Sequence, residues 1–165
     1  KDLALAFSEK MDLPAGKAND LARAANGNFV RGKNMITEDE NRKENFNQFV
    51  KLMRLAWKKD IISLSEWADE TALSGREAQK RFLTFAIGQL RENFMLNIGQ
   101  DKNQLVYLVG EEAEFAGKFK QFINKKNIVP LINEFTLAHT HISANGNAKI
   151  VLLDLALNVV KLIRK

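Results

Sequence analysis

The chain predicts an all-α fold: a helical bundle preceded by a smaller helical piece. Three observations carry this. Apolar residues recur at helical spacing almost everywhere, and sustained two-residue alternation is absent. Only two prolines interrupt 165 residues, and eleven phenylalanines supply large side chains for packing between helices. The last helix is apolar on more than one side, with one stripe at Ile150, Leu153, Leu157 and Val160 and another at Leu152, Ala156, Val159 and Ile163. One stripe suffices to dock a surface helix, so a helix apolar nearly all round is buried or lies in an interface. It is too short, and too charged at Lys149, Asp154 and Lys161, to span a membrane.

The elements follow in order. Pro14 and Gly16 break the first apolar stretch. A short helix is expected over 17–26, with Ala18, Leu21, Ala22 and Ala25 on one face. Asn26-Gly27-Asn28 reads as its stop and as the cap of a further short helix over 29–36. Residues 37–44 are almost wholly polar and form the candidate boundary, a linker between 1–36 and a bundle over 45–165. Phe46, Phe49, Val50, Met53 and Trp57 make the first stripe of that bundle. A shorter helix over 61–73 is expected, with Ser63 or Ser65 able to cap it.

Ser74-Gly75 interrupts, and a long helix over 76–97 presents Leu83, Ile87, Leu90 and Phe94. The apolar run Leu105-Val-Tyr-Leu-Val109 has the length of a strand but no evident strand partner. Glu111 and Glu112 suit a helix N-terminus, and Phe115, Phe119, Phe122 and Ile123 face inward after them. Pro130 fits the first turn of the next helix, whose stripe is Leu131, Phe135, Ala138 and Ile142. At Asn145-Gly146-Asn147, Gly146 is expected to supply a positive φ and Asn147 to cap the terminal helix. Asp154 is expected to mark the seam between that helix's two stripes.

Composition narrows the function classes. Apolar residues make up 45%, as in a globular fold. The chain has no cysteine, which removes disulfides, thiolate metal sites and a cysteine nucleophile, and fits a reducing cytoplasm. It begins at Lys1 without an initiator Met, so it reads as part of a longer protein. No signal peptide is visible. The net charge of +5 suits a nucleic-acid neighbour but does not require one.

Candidate chemistry is sparse. His139 and His141, the only histidines, stand at i, i+2 and point to different sides of a helix, unlike metal-binding pairs at i, i+4. One is expected near the core edge and the other in solvent. The clusters Glu38-Asp39-Glu40 and Glu111-Glu112-Glu114 sit where helices are expected to begin, where a solvated, dipole-complementing role is favoured. No phosphate loop and no G-x-G-x-x-G fingerprint occurs. No nucleophile–base pair can be assembled, so no catalytic residue, metal or cofactor is assigned.

Two basic features remain. Residues 64–83 evoke a helix-turn-helix regulator with Arg76, Lys80 and Arg81 on its second helix. That helix is loaded with Phe82, Leu83, Phe85 and Ile87, which favours an ordinary hairpin over a DNA-reading one. Lys118, Lys120, Lys125 and Lys126 form the densest basic patch and a candidate DNA-facing surface. They also lie opposite the phenylalanine stripe, where lysine is the ordinary solvated residue.

Two segments resemble a known family. Asp20-Leu-Ala-Arg-Ala-Ala-Asn-Gly-Asn-Phe29 resembles the end of an AAA+ lid domain. Ala138-His-Thr-His-Ile-Ser-Ala-Asn-Gly-Asn-Ala-Lys-Ile-Val-Leu-Leu-Asp-Leu-Ala-Leu157 resembles the closing helices of the delta-prime subunits of bacterial DNA polymerase III clamp loaders. The resemblance covers most of the chain and rests on packing patterns and turns. It implies a lid fragment over 1–36 and a collar (oligomerisation) domain over 45–165. It further implies a non-catalytic part of the replicative holoenzyme in the bacterial cytoplasm, held to the other loader subunits through a collar ring. Contact with DNA and the sliding clamp would come through the full complex. The place of the nucleotide-sensing arginine in ATP-binding relatives falls at Val30, with Arg31 beside it. That departure suits a subunit that does not hydrolyse ATP. The resemblance and the two stripes together make Ile150, Leu153, Leu157 and Val160 the candidate subunit interface.

Overall fold

The computed structural model describes residues 2–99 and 110–165. All regular structure among them is helical. The run at 105–109 lies outside the described residues. The chain divides into two compact units, Lys1–Glu44 and Asn45–Lys165.

The first unit contains α1 (Asp2–Met11), α2 (Ala15–Ala24) and the start of α3 (Phe29–Lys58). Gly16 lies inside α2. The break between α1 and α2 comes instead from Asp12, at φ 50°, and from Pro14. Phe7 is fully buried and stacks on Phe29 with ring centroids 5.0 Å apart. Gly32 permits this, because a Cβ there would collide with the Phe7 ring. Asn26 and Gly27 both take positive φ to reverse the chain. The Asn28 carboxamide then accepts the Arg31 N–H at 3.1 Å and starts α3.

Residues 37–44 are helical, since α3 runs unbroken from Phe29 to Lys58, and the division into two units falls at their end, between Glu44 and Asn45. No glycine or proline occurs between Gly32 and the end of α3 at Lys58, so nothing local interrupts the helix across this stretch. Glu38 with Arg42, and Asp39 with Lys43, stand at the i, i+4 spacing that supports an exposed helix.

The second unit holds the rest of α3, then α4 (Ile61–Ala72), α5 (Arg76–Asn97), α6 (Glu111–Phe119), a 3-10 turn (Lys120–Phe122), α7 (Ile128–Ser143) and α8 (Ala148–Leu162). α5 packs on α7, α4 on α8, and α7 on α8. Their common core is built from Phe49, Leu64, Trp67, Leu83, Phe135 and Leu152, all fully buried. The α7 stripe of Leu131, Phe135, Ala138 and Ile142 is buried as its spacing predicts. On α3 the inward face turns to Phe49, Leu52, Met53 and Ala56, leaving Trp57 40% exposed. On α5 the small Ala86 lies inside while Ile87 and Phe94 are half-buried.

Polar side chains set the helix ends. Asp60, rather than Ser63 or Ser65, caps α4, accepting from the Ser63 hydroxyl at 2.8 Å and from its N–H at 3.2 Å. These two bonds hold the Asp60 carboxyl below its usual pKa. The buried Gln79 amide donates to the carbonyls of Thr71 and Ala72, closing the C-terminus of α4. After α7 the positive φ belongs to Asn145, at 64°, not to Gly146. Asparagine tolerates the left-handed region, whereas Gly146 is needed for close approach: its N–H bonds the His141 carbonyl at 2.8 Å, and a Cβ there would sit 2.7 Å from that oxygen. Asn147 then caps α8, accepting from the Ile150 N–H at 3.2 Å.

Asn127 joins three segments from a fully buried position. Its amide donates to the carbonyls of Phe122 (2.8 Å) and Leu162 (3.2 Å), and its carbonyl accepts the Asn124 N–H at 2.9 Å. Asn127→Ala strands these backbone groups in the interior. It is expected to lower stability by about 2–4 kcal/mol in urea denaturation followed by circular dichroism.

Candidate interaction surface

The two stripes of α8 differ in burial. Leu152, Ala156, Val159 and Ile163 are buried, joined by Leu155. Across the helix Ile150 is 67% exposed, and Leu153, Leu157 and Val160 are partly buried. Leu153 and Val160 rest against the core. Ile150 and Leu157 therefore lead the outward face. α4, which packs against α8, also carries exposed apolar side chains, Ile62 (77%) and, just past its end, Leu73 (87%). Lys149 of α8 pairs with Asp69 of α4 at 3.0 Å, tying the two helices at this edge. Sequence reading did not identify these two residues, because which apolar side chains of α4 stay exposed is decided by how the helix docks.

Asp154 is exposed on the α7 side of α8, in a small recess with Glu134, Leu137 and His141. Asn158 bridges this edge, donating to Glu134 at 2.9 Å and to Asp154 at 3.4 Å.

The remaining candidates are dispersed or engaged. His139 is half-buried with Nδ1 3.5 Å from the Ser143 hydroxyl, and His141 is exposed. Among the described residues no group of histidine and carboxylate side chains could hold a metal. Glu112 is buried rather than solvated, accepting from the Gln89 amide at 3.3 Å, while Glu111 and Glu114 are exposed. In the 64–83 hairpin, Arg76 bonds Asn145, Lys80 pairs with Glu77 at 2.9 Å, and Gln79 is buried. The start of α5 thus serves intramolecular packing, unlike a helix whose first turns are free for a groove. Of the four patch lysines, Lys118, Lys125 and Lys126 are exposed and Lys120 is half-buried. Lys118 sits on α6, while Lys125 and Lys126 lie in the turn before α7.

A second surface was not foreseen. α3 and α6 run side by side, with Phe46 near Phe115 (5.8 Å between centroids), Phe49 near Phe119 (5.8 Å) and Trp57 near Phe122 (4.5 Å). The cleft along them has a volume of about 570 Å³, lined in part by Phe46, Glu111, Glu114 and Phe115. It continues into a pocket of about 230 Å³ whose wall includes Met53, Trp57, Phe119, Phe122 and Ile163. Arg54, Lys58 and Lys118 line both. The Arg164 guanidinium lies 4.5 Å from the centre of the Trp57 ring and donates to the Trp57 carbonyl. The signal in the sequence was Trp57 at the polar edge of its stripe, followed by Lys58-Lys59.

No protein-family model, curated protein sequence or solved structure matches this chain.

Proposed function

We propose that this chain is an assembly module: the collar of a delta-prime-like subunit of a bacterial clamp loader, with the tail of its AAA+ lid over 1–36. In this reading 45–165 joins a ring of related domains, and the complete loader places the sliding clamp on primed DNA in the cytoplasm. The chain contributes cohesion, not catalysis, to the replicative polymerase assembly.

The observation that carries the reading is the two-sidedness of α8. Its inner stripe already closes the core, yet Ile150 and Leu157 continue an apolar face outward, with Ile150 67% exposed. Ile62 and Leu73, on the α4 segment that packs against α8, are also largely exposed, and extended exposed apolar patches mark interaction sites. The turns and apolar spacing at 20–29 and 138–157 supply the family resemblance.

Coexpression with the other clamp-loader subunits of the same genome tests this directly. The chain is expected to elute with them as one complex. A variant carrying Ile150→Asp and Leu157→Asp is expected to drop out while keeping its thermal midpoint. A wild-type chain that elutes alone overturns the assignment, as does a full gene that encodes no AAA+ domain upstream of Lys1.

A further inference from the structure

We infer that the cleft between α3 and α6 is a docking groove for an amphipathic, acidic peptide segment of a partner protein. This does not rest on the collar assignment and concerns a different face of the unit.

Shape comes first. From Phe46 to Trp57 the wall advances eleven residues, or about 16 Å at the helical rise. Roughly three turns of a docked helix, or a shorter extended segment, match that length. At the Trp57 end the floor is apolar, formed by Met53, Phe119, Phe122 and Ile163. Such a pocket receives large apolar side chains, and its rim sets what flanks them.

Charge selects the occupant. Arg54 and Lys58 stand on the α3 side and Lys118 on the α6 side, all exposed. Neither Arg54 nor Lys118 has a carboxylate partner among the described residues, and Lys58 feels the Asp60 carboxylate without forming an ion pair with it, although the chain forms exposed pairs elsewhere, such as Lys51 with Glu70 at 2.8 Å. No acidic residue lines the apolar pocket. Glu111 and Glu114 line only the wider part of the cleft. The field therefore has a direction, cationic at the Trp57 end and acidic at the start of α6. An occupant with carboxylates beside its apolar anchors fits with those carboxylates toward Trp57.

Nucleic acid fits less well. Stacking of successive bases needs open aromatic faces along a basic track. Here the exposed indole of Trp57 is already engaged by Phe122 and Arg164, and the cations face one another across an apolar hollow.

Panning a library of random peptides of the cleft's length on the intact chain tests the inference. Enriched sequences are expected to place Asp or Glu next to Leu, Ile or Phe. The best of them, labelled for fluorescence polarisation, should bind at least about tenfold more weakly to the Arg54→Glu, Lys58→Glu, Lys118→Glu variant, and more weakly as salt rises. Thermal melting checks the fold of that variant. Should charge reversal unfold it, the corresponding triple glutamine variant replaces it and should also bind more weakly. Failure to enrich any peptide, enrichment without acidic residues, or binding indifferent to the three cations overturns the proposal. Oligothymidylate binding that depends on the same cations, in the absence of peptide binding, overturns it in favour of nucleic acid. Self-association lost in the triple variant overturns it in favour of a second copy. Loss of clamp-loader association leaves these outcomes unaffected, because α8 and the cleft are probed by separate variants.

Discussion

Leu152→Asp unfolds the unit Asn45–Lys165, whereas Ile150→Asp, two residues away on the same helix, leaves it folded. Leu152 is fully enclosed in the core shared by the bundle helices. A carboxylate there has no cation to meet and must be buried charged or take up a proton. Either route costs several kcal/mol, set against a total of about 5–15 kcal/mol for a domain. Ile150 lies largely in water, so its replacement changes stability by less than about 0.5 kcal/mol. Circular dichroism melting of the two variants decides the point. Equal losses from both would mean that the outward stripe is part of the core.

Trp67→Ala is expected to cost about 3–5 kcal/mol. The indole is fully buried in α4 and meets Phe82 of α5 edge-on, with centroids 5.8 Å apart. Truncation leaves a void between two helices whose backbones are fixed by the Asp60 cap and the Gln79 amide, so collapse can fill only part of it. Trp67→Phe is expected to cost less than about 2 kcal/mol. It retains an aromatic ring against Phe82 and removes an indole N–H that has no hydrogen-bond partner. The midpoints of urea denaturation, followed by far-ultraviolet circular dichroism, separate these cases. Two equal losses would count against packing as the source of the effect.

Much of the fold was legible because helical spacing is a local property. The limits of α5, the stripe of α7 and the Asn147 cap all follow from neighbouring residues. What stayed illegible depends on partners distant in sequence. The two stripes of α8 have similar apolar content, and only docking against α4 and α7 decides which is inside. The same docking puts Asp154 on the α7 edge. The helix expected over 29–36 runs on through 37–44 because a polar run forms helix readily when no glycine or proline intervenes. The α3–α6 cleft was hidden because Trp57 belongs to an apolar stripe by spacing but leaves it in space. Gly146 shows how two roles of glycine look alike in sequence, since close approach and positive φ both call for a missing side chain.

The pairing of α4 with α8 also dictates an order of events during synthesis. Asp69 and Lys149, which meet across these helices, are separated by about eighty residues of chain, a loop whose closure is entropically costly before contacts form. Until α8 has left the ribosome, Leu64 and Trp67 have no cover from it. The nascent bundle must therefore wait with part of its interior open, at the stage when chaperone binding and misassembly compete with folding. Within residues 45–165, the cover for α4 is thus supplied from the far end of the segment.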